Sequence, residues 1–290
     1  MADAPVISGH TKTIGLIGTP VGHSLSPAMH TASFARMGED CVYLAFDVQQ
    51  QDLEAAARGM RALGFSGYNV TMPHKGAILE YCDKLSDAAR LMGAVNCVDL
   101  KSGEAVGHNT DGAGFMRNLA EHDIDVVGKK MTIVGAGGAG SAIFTQAALD
   151  GMTEIDVFNV RDKFFDATVQ RVAALSESTG CKLVLHDLDD KAQLQASVAD
   201  SAVFVNATRV GMVPMQDECV LPAEYLHDNL AVADTVYNPR ETKLLASAHA
   251  RGLKAVNGLG MLLWQAAIGE EIWLGKQMDV PFIENKFFGE

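Results

Sequence analysis

Short apolar runs alternate with segments of helical periodicity along the whole chain. The first run, Thr13-Ile14-Gly15-Leu16-Ile17, has the composition of a buried strand, and Ser26-Pro27 then opens a helix with Ser26 as its N-cap. Strands that alternate with helices in this way favour α/β domains with a largely parallel or mixed sheet. The remaining predicted strands cover residues 41–48, 68–71, 131–134, 155–158, 182–185, 202–205 and 230–234, and the remaining predicted helices cover 53–63, 141–149, 167–175, 242–250 and 258–267.

The strand at 131–134 runs directly into a G-x-G-x-x-G sequence that begins at Gly135. A helical segment, a second apolar run and Asp162 follow, in the order of a dinucleotide-binding βαβ unit. Gly135 permits the turn out of the strand, Gly137 lets the backbone approach a pyrophosphate, and Gly140 lets the helix pack closely. The helix N terminus would offer unpaired N–H groups to the phosphates. A glycine-rich turn in an ordinary α/β domain is the alternative, and the complete order of elements favours the cofactor.

Chain length and the position of this fingerprint together predict two domains. A chain of 290 residues is longer than one typical core. Because the fingerprint begins near the middle, a separate domain is expected in the first third, which has its own alternation of strands and helices. No low-complexity linker is present, so the junctions are expected near Asp111–Leu119 and Asn257–Gly260.

Composition narrows the classes of function. A net charge of −13 argues against nucleic acid, which needs a basic face, but leaves anionic small substrates open. No signal peptide and no uninterrupted apolar run of about 18 residues is recognisable, so no membrane association is expected. The five cysteines are scattered, which fits reduced thiols in the cytoplasm. No H-E-x-x-H or C-x-x-C pairing occurs, so no metal site is predicted.

Polar clusters occur at predicted strand or loop ends outside the dinucleotide unit. Helix N-termini suit carboxylates, and serine hydroxyls donate to them; capping alone would explain Ser26 but not Ser24. Lys75 could act as an acid/base group or an anion anchor, although most lysines are solvated surface residues. Asp111 near such a lysine would shift its protonation, although its surroundings also suit a simple turn. The clusters are Gly18–Pro27, Asn69–Lys75, Gly93–Cys97 and His108–Gly112.

The same clusters form part of a series of short motifs that spans nearly the whole chain. They are Gly18-x-Pro20-x-x-His23-Ser24-x-Ser26-Pro27, Asn69-Val70-Thr71-x-Pro73-His74-Lys75, Gly93-Ala94-Val95-Asn96, Asn109-Thr110-Asp111-Gly112, Gly135-Ala136-Gly137-Gly138-Ala139, Asn206-Ala207-Thr208-x-x-Gly211-Met212, Val236-Tyr237-Asn238-Pro239 and Gly260-Met261-Leu262-x-x-Gln265. In content and order they resemble the shikimate dehydrogenase and quinate/shikimate dehydrogenase family.

This resemblance implies two α/β domains: a substrate/catalytic domain at 1–114, a Rossmann-type dinucleotide domain at 115–257 and a helical segment at 258–290 returning to the first domain. It implies Lys75 and Asp111 as the catalytic pair. Substrate contacts would come from Ser24, Ser26, Tyr43, Thr71, Asn96 and Gln265. Cofactor contacts would come from Ala136, Gly137, Gly138, Ala139, Asn159, Arg161, Asp162, Thr208, Arg209, Tyr237 and Gly258.

One segment departs from the common family pattern. NADP-using members typically carry an arginine after the asparagine that ends the second Rossmann strand, whereas this chain has Val160 after Asn159. Asp162 offers a carboxylate, which accepts ribose hydroxyls but repels a 2′-phosphate. The segment therefore resembles the NAD-type quinate/shikimate branch, and NAD is the expected cofactor. Arg161 is a nearby cation that can bind a 2′-phosphate, so NADP stays open as the alternative cofactor.

The expected activity is reversible hydride transfer between C3 of shikimate or quinate and NAD(P), with Lys75 as the acid/base group. The expected partners are small molecules, namely shikimate, quinate or their 3-dehydro forms. One alternative is a related dehydrogenase acting on amino-shikimate or another hydroxylated ring acid. Another is a non-catalytic dinucleotide sensor on the same fold, which the presence of both Lys75 and Asp111 disfavours. Whether the protein forms a homodimer is left open.

Overall fold

A computed structural model describes residues 7–289, which fall into two compact units. The first unit contains the chain up to Thr110 and the segment from Gln265 onward, and the second is Asp111–Trp264. The expected boundary at 114/115 falls inside a helix that Asp111 opens, because the polar turn before it ends at Thr110. Residues 1–6, on which the expected absence of a signal peptide partly rests, lie outside the described residues. Within residues 7–289 no helix is both long and apolar enough to cross a membrane.

The first unit is built on a mixed sheet. Its strand order is β2-β1-β3-β5-β6-β4; β2, β1 and β3 are parallel, β5 is antiparallel to both of its neighbours, and β4 is parallel to β6. The elements in chain order are β1 (Lys12–Gly18), α1 (Ser26–Met37), β2 (Cys41–Asp47), α2 (Leu53–Ala62), β3 (Gly67–Val70), β4 (Lys84–Leu85), α3 (Asp87–Met92), β5 (Cys97–Asp99) and β6 (Val106–His108).

The start of α1 differs from the sequence prediction. Ser26 is the first helical residue, and Leu25 occupies the N-cap position without a side-chain hydrogen bond. Ser24 Oγ accepts from the Ser26 N–H at 3.2 Å, which makes a local turn just before the helix. The predicted N-cap role of Ser26 is therefore wrong.

The second unit contains a six-stranded parallel sheet, with the order β12-β11-β10-β7-β8-β9. This is the doubly wound α/β arrangement that the fingerprint predicts, with all of the central strands buried. Its elements are α4 (Asp111–Glu121), β7 (Lys130–Val134), α5 (Gly138–Leu149), β8 (Glu154–Asn159), α6 (Phe165–Thr179), β9 (Lys182–Asp187), α7 (Lys191–Ala199), β10 (Val203–Asn206), β11 (Ala231–Asp234), α8 (Lys243–Ala250) and β12 (Ala255–Val256).

A buried polar network lies within this second unit. The Asp156 carboxylate on β8 is 2.9 Å from Lys130 Nζ, 2.9 Å from His186 Nε2 and 2.6 Å from the Ser197 hydroxyl. Ser197 in turn lies 2.6 Å from the Thr132 hydroxyl. Burial raises the pKa of Asp156, but hydrogen bonds from His186, Ser197 and Lys130 outweigh burial and hold that pKa well below its usual range. The network thus ties α7 to β7, β8 and β9.

The chain ends in two helices, α9 (Gly258–Leu274) and α10 (Val280–Phe288). The end of α9 belongs to the core of the first unit. Trp273 is 1% exposed, and its indole N–H donates to the Val98 carbonyl at 3.0 Å. A Cβ at Gly67 would overlap the Trp273 ring, so the absence of a side chain on β3 makes room for the indole.

Glu270 links α9 to α1 inside the same unit. It is fully buried, its Oε1 is 2.6 Å from His30 Nδ1, and its Oε2 accepts from the Ser33 hydroxyl at 2.6 Å. A carboxyl group in the interior requires such partners, because an unpaired buried charge is strongly destabilising.

Candidate active site and dinucleotide site

The loops after β1 and β3 lie side by side in the first unit. Ile17 pairs with Val70 in parallel register, so both strands end at the same edge of the sheet. Beyond the strands, the Thr19 N–H donates to the Met72 carbonyl at 3.1 Å, and the Thr71 N–H donates to the Ile17 carbonyl at 2.9 Å. The first two polar clusters of the sequence, with Ser24 and Thr71, are thereby joined.

Lys75 is held on two sides through its backbone and its neighbour. Its carbonyl accepts from the Val95 N–H at 2.8 Å, which joins the lysine segment to the Gly93–Cys97 cluster. The preceding His74 is 1% exposed, and its Nε2–H donates to the Val48 carbonyl at 2.7 Å. The Lys75 side chain is half-buried. The lysine is therefore placed by a fixed loop and not by a mobile surface segment.

Asn96 joins the third and fourth clusters. It is 3% exposed; its Oδ1 accepts from the Thr110 N–H at 2.8 Å, and its Nδ2 donates to the Thr110 hydroxyl at 2.9 Å. Its carbonyl accepts from the Val70 N–H and from Asn69 Nδ2, each at 2.9 Å. Asn96 therefore connects the end of β3 with the turn that precedes Asp111.

Tyr43 has a different place from the one expected. It is 2% exposed, its hydroxyl donates to Asn69 Oδ1 at 2.6 Å, and its ring stacks on His30 with 4.4 Å between the ring centroids. Burial raises its pKa well above the usual value, so the hydroxyl stays protonated and keeps donating. This geometry argues against the predicted direct substrate contact and gives Tyr43 a role in orienting Asn69, which in turn donates to Asn96.

The other predicted residues of the substrate site have simple placements. Ser24 and Ser26 are half-buried at the start of α1. Gln265 is half-buried in the part of α9 that belongs to the first unit. Asp111 is half-buried and opens α4, so the division of the chain assigns it to the second unit.

The second unit carries a cavity of about 830 Å³ at the carboxyl ends of β7, β8, β10 and β11. This edge of a parallel sheet is where doubly wound folds bind nucleotides. Of the predicted cofactor residues, those on the cavity wall are Gly137, Ala139, Asn159, Thr208, Arg209 and Tyr237, while those off the wall are Ala136, Gly138, Arg161, Asp162 and Gly258.

The glycine-rich loop fits a pyrophosphate. Gly135 has φ +105°, and a Cβ there would lie 2.7 Å from the Ala207 carbonyl oxygen. A Cβ at Gly140 would overlap the Gly135 carbonyl, so α5 can approach the strand only without a side chain. Gly137 is the N-cap of α5 and offers no side-chain cap, while the space beside Gly137 and Gly138 is open. The start of α5 therefore borders the open cavity, and the N terminus of a helix favours an anion there.

The segment that follows β8 is ordered by its own side chains. Asn159 Oδ1 accepts from the Ala136 N–H at 3.1 Å and thereby positions the glycine-rich loop. Asp162 Oδ1 accepts from the Phe164 N–H at 2.9 Å, which makes an Asx turn. Asp162 lies off the cavity wall, so its predicted contact with the ribose stays a prediction.

Arg161 is held outside the cavity wall. Its Nε donates to Asp187 Oδ2 at 3.1 Å, and its guanidinium carbon lies 4.8 Å from the centre of the Phe165 ring. The Asp187 side chain also accepts from the Asp189 N–H at 3.0 Å. The cation that the sequence identified as a partner for NADP thus already has a carboxylate and an aromatic ring as partners.

The structure also shows a residue that sequence reasoning missed. Arg171 on α6 donates from Nη2 to the Ser141 hydroxyl at 2.9 Å and to the Ala136 carbonyl at 3.3 Å, directly behind the glycine-rich loop. Burial lowers its pKa. Nothing in the sequence distinguishes this arginine from a solvated one on a helix surface. The apolar part of the cavity wall, which includes Leu188, Met212 and Val213, was likewise not predicted.

Among residues 7–289 no group of three or more His, Cys, Asp or Glu side chains is arranged to hold a metal ion. None of the five cysteines, all of which lie in the described part of the chain, forms a disulfide bond.

Two family models match this chain. Residues 16–98 match the "Shikimate dehydrogenase substrate binding domain", and residues 258–285 match the "Shikimate 5'-dehydrogenase C-terminal domain". A protein of Listeria monocytogenes named "Shikimate dehydrogenase (NADP(+))" is 50% identical over 283 residues, which is 97% of each chain. The chain belongs to the shikimate dehydrogenase family.

Solved structures of family members have the same fold. The crystal structure of shikimate 5-dehydrogenase from Listeria monocytogenes, in complex with shikimate and NAD, is 49% identical with a TM-score of 0.94, and the match covers 97% of this chain and 98% of that one. The quinate dehydrogenase of Corynebacterium glutamicum, in complex with NAD, is 30% identical with a TM-score of 0.85, and the match covers 97% of this chain and 99% of that one. The expected family and two-domain α/β fold are confirmed.

Proposed function

We propose that this protein is a shikimate dehydrogenase that also accepts quinate and interconverts the C3 alcohol and ketone of the ring with a nicotinamide dinucleotide. The observation that supports this most strongly is the convergence of the polar loops in the first unit. Backbone hydrogen bonds tie the Lys75 segment to the Asn96 segment and the Thr71 segment to β1. These loops carry the residues to which the family resemblance assigns the binding of a hydroxylated ring acid.

Lys75 handles the proton in this proposal. In the oxidation direction the neutral amine accepts the C3 hydroxyl proton while the C3 hydrogen leaves with its electron pair. The nicotinamide, when bound, supplies the hydride acceptor, and in the reverse direction the hydride donor. Ser24, Ser26 and Gln265 bind and orient the carboxylate and hydroxyls, and Asp111 is the second residue of the proposed catalytic pair.

NAD is the proposed preferred cofactor. Val160 is 55% exposed at the cavity wall and provides no cation for a 2′-phosphate. Arg161 is paired with Asp187, and Asp162 adds a second carboxylate close by in sequence. The curated relative named for NADP weighs against this preference, and the related structure with NAD weighs for it. Measuring kcat/KM with both cofactors at saturating shikimate decides between them; a higher value with NADP would refute the proposed preference.

The activity is tested by incubating the purified protein with shikimate or quinate and following the absorbance of the reduced cofactor. Lys75→Ala is expected to lower kcat by about 10²–10⁴-fold, the usual loss for an acid/base group. Lys101→Ala is the matched control, because Lys101 is a surface lysine of the same unit, 45% exposed and paired with Asp99. Near-normal turnover in a folded Lys75→Ala protein would refute the assignment. Absence of any turnover in the wild type would favour the sensor alternative.

A cytoplasmic location is proposed because none of the five cysteines forms a disulfide bond, as is usual in a reducing compartment. Light scattering on the purified protein would show whether it forms a homodimer.

A further inference from the structure

Asp187 lies at the edge of the dinucleotide cavity. It ends β9 and pairs in parallel register with Asn159, the last residue of β8. The next residue, Leu188, donates its N–H to the Asn159 carbonyl at 2.9 Å. Asn159, Val160 and Leu188 all line the cavity. Asp187 is thus fixed beside the residues that form the wall of the cavity, although its own side chain is off that wall.

The Asp187 carboxylate has a defined direction. The Asp189 N–H binds one carboxylate oxygen at 3.0 Å, which leaves the other oxygen to accept from Arg161 Nε at 3.1 Å. The hydrogen bonds from the Asp189 N–H and from Arg161 lower the pKa of Asp187, so it is ionised at neutral pH. Phe165 lies against the guanidinium from another side, 4.8 Å from its central carbon. Arg161 is therefore held by two partners on the β9 side of its loop.

We propose that Asp187 is a specificity-determining residue that disfavours a 2′-phosphate by holding Arg161 away from the cofactor. The proposal rests on the proposed dinucleotide function. A 2′-phosphate near Val160 would have to recruit Arg161 and leave Asp187 without its partner, or else face Asp162 and Asp187 without a cation. A ribose with a free 2′-hydroxyl has neither requirement, because hydroxyls need no cation.

Removing the Asp187 charge favours binding of a 2′-phosphate in two ways. Asp187→Asn keeps an oxygen that can accept from the Asp189 N–H, so the loop retains its shape. The variant places an amide where Arg161 now donates, which releases the guanidinium for a bidentate contact with phosphate. It also removes one repulsive charge. We expect the affinity for a 2′-phosphorylated ligand, relative to its 2′-hydroxyl counterpart, to rise about tenfold.

The test is binding without turnover. Calorimetric titration of the full-length protein with adenosine 2′,5′-bisphosphate and with AMP, at one fixed ionic strength, gives the ratio of the two dissociation constants. Asp187→Asn is compared with Asp189→Asn, which removes the same charge from an exposed neighbour that contacts Asp187 only through its backbone. A third protein, Asp187→Asn with Arg161→Gln, tests whether Arg161 carries the effect.

A shift of at least about fivefold toward the bisphosphate in Asp187→Asn alone, lost when Arg161→Gln is added, supports the proposal. A smaller shift overturns it, and so does an equal shift in Asp189→Asn, because that would be a general effect of net charge. A shift that survives Arg161→Gln undiminished also overturns it, since the loss of repulsion alone would then explain the whole shift. AMP binding in each variant shows that the unit is folded. Failure of the proposed dehydrogenase activity would appear separately, as absent turnover of shikimate and quinate.

Discussion

The buried Asp156 network allows a quantitative prediction about the stability of the second unit. Asp156→Asn keeps the size of the side chain but removes its charge and one of its two acceptor oxygens. The Ser197 hydroxyl can rotate and the His186 ring can change its protonated nitrogen, so these two partners adapt. Lys130 cannot adapt, because an ammonium group only donates.

The size of the effect follows from what Lys130 retains. Removing one partner of a buried ion pair costs about 3–5 kcal/mol when the other charge is stranded. Lys130 keeps Asp200 Oδ1 at 2.7 Å and Glu154 Oε1 at 3.4 Å, so its charge is not stranded. We therefore expect a loss of about 3 kcal/mol in the free energy of unfolding, the lower end of that range. For a unit of this size that corresponds to a fall in melting temperature of roughly 6–12 °C.

The assay is urea unfolding of the wild type and of Asp156→Asn, with Asp200→Asn as the control. Asp200 contacts the same lysine, but its side chain is 67% exposed, so its loss is expected to cost less than about 1 kcal/mol. Because the folded-state pKa of Asp156 is lowered, its stabilising effect is complete well above the unfolded value of about 3.9 and is lost as the pH falls below it. The difference in the free energy of unfolding between the wild type and Asp156→Asn should therefore narrow from about pH 5 downward. Equal costs for the two variants, or a difference that does not depend on pH, would refute this reasoning.

Three further predictions concern the two sites and the helix contact. Ser24→Ala should raise KM for shikimate about tenfold or more, and raise KM for NAD less, because one hydrogen bond to a carboxylate contributes about 1.5–3 kcal/mol. Glu270→Ala should cost about 3–5 kcal/mol in urea unfolding, while Glu270→Gln, which keeps one acceptor and the side-chain volume, should cost about 1–2 kcal/mol. Val160→Arg combined with Asp162→Ser should move the kcat/KM preference toward NADP by about tenfold or more, because a cation replaces an apolar side chain and a carboxylate is removed.

A specific result would contradict each of these three predictions. Equal rises in both KM values for Ser24→Ala would indicate a folding defect and not a lost substrate contact. Equal costs for the two Glu270 variants would mean that hydrogen bonding to the retained oxygen contributes nothing. An unchanged cofactor preference in the double variant would mean that neither position faces the ribose.

The sheet of the second unit could be predicted well from the sequence. Parallel strands buried on both faces give continuous apolar runs, such as Ala202-Val203-Phe204-Val205. The first unit was less predictable, because β5 and β6 have only three residues each. Such short strands have no periodicity of their own. They exist through pairing, β5 with β3 and β6 with β5, which is a tertiary effect.

The residues of the candidate site also differ in how well the sequence predicts them. Candidates in local motifs, such as Lys75 and Asn96, were predicted because the pattern of neighbouring residues marks them. The partners that hold them were not, because their contacts join distant parts of the chain. Glu270 meets His30 across 240 positions, and Tyr43 meets Asn69 across 26. No local pattern encodes such a pair, so a buried glutamate in an apolar helix shows its function only in three dimensions.

The discontinuity of the first unit has a consequence for biosynthesis. The second unit is one continuous segment, Asp111–Trp264, whereas the first needs Glu270 and Trp273 from the end of the chain. About 160 residues must be translated between Thr110 and those side chains, which takes roughly 8–32 s at the usual ribosomal rates. During that interval α1 lacks its buried carboxyl partner, and Gly67 faces a space without its indole. The part of the protein that leaves the ribosome first is therefore the last to be completed, and chaperones would have their longest access to the N-terminal unit.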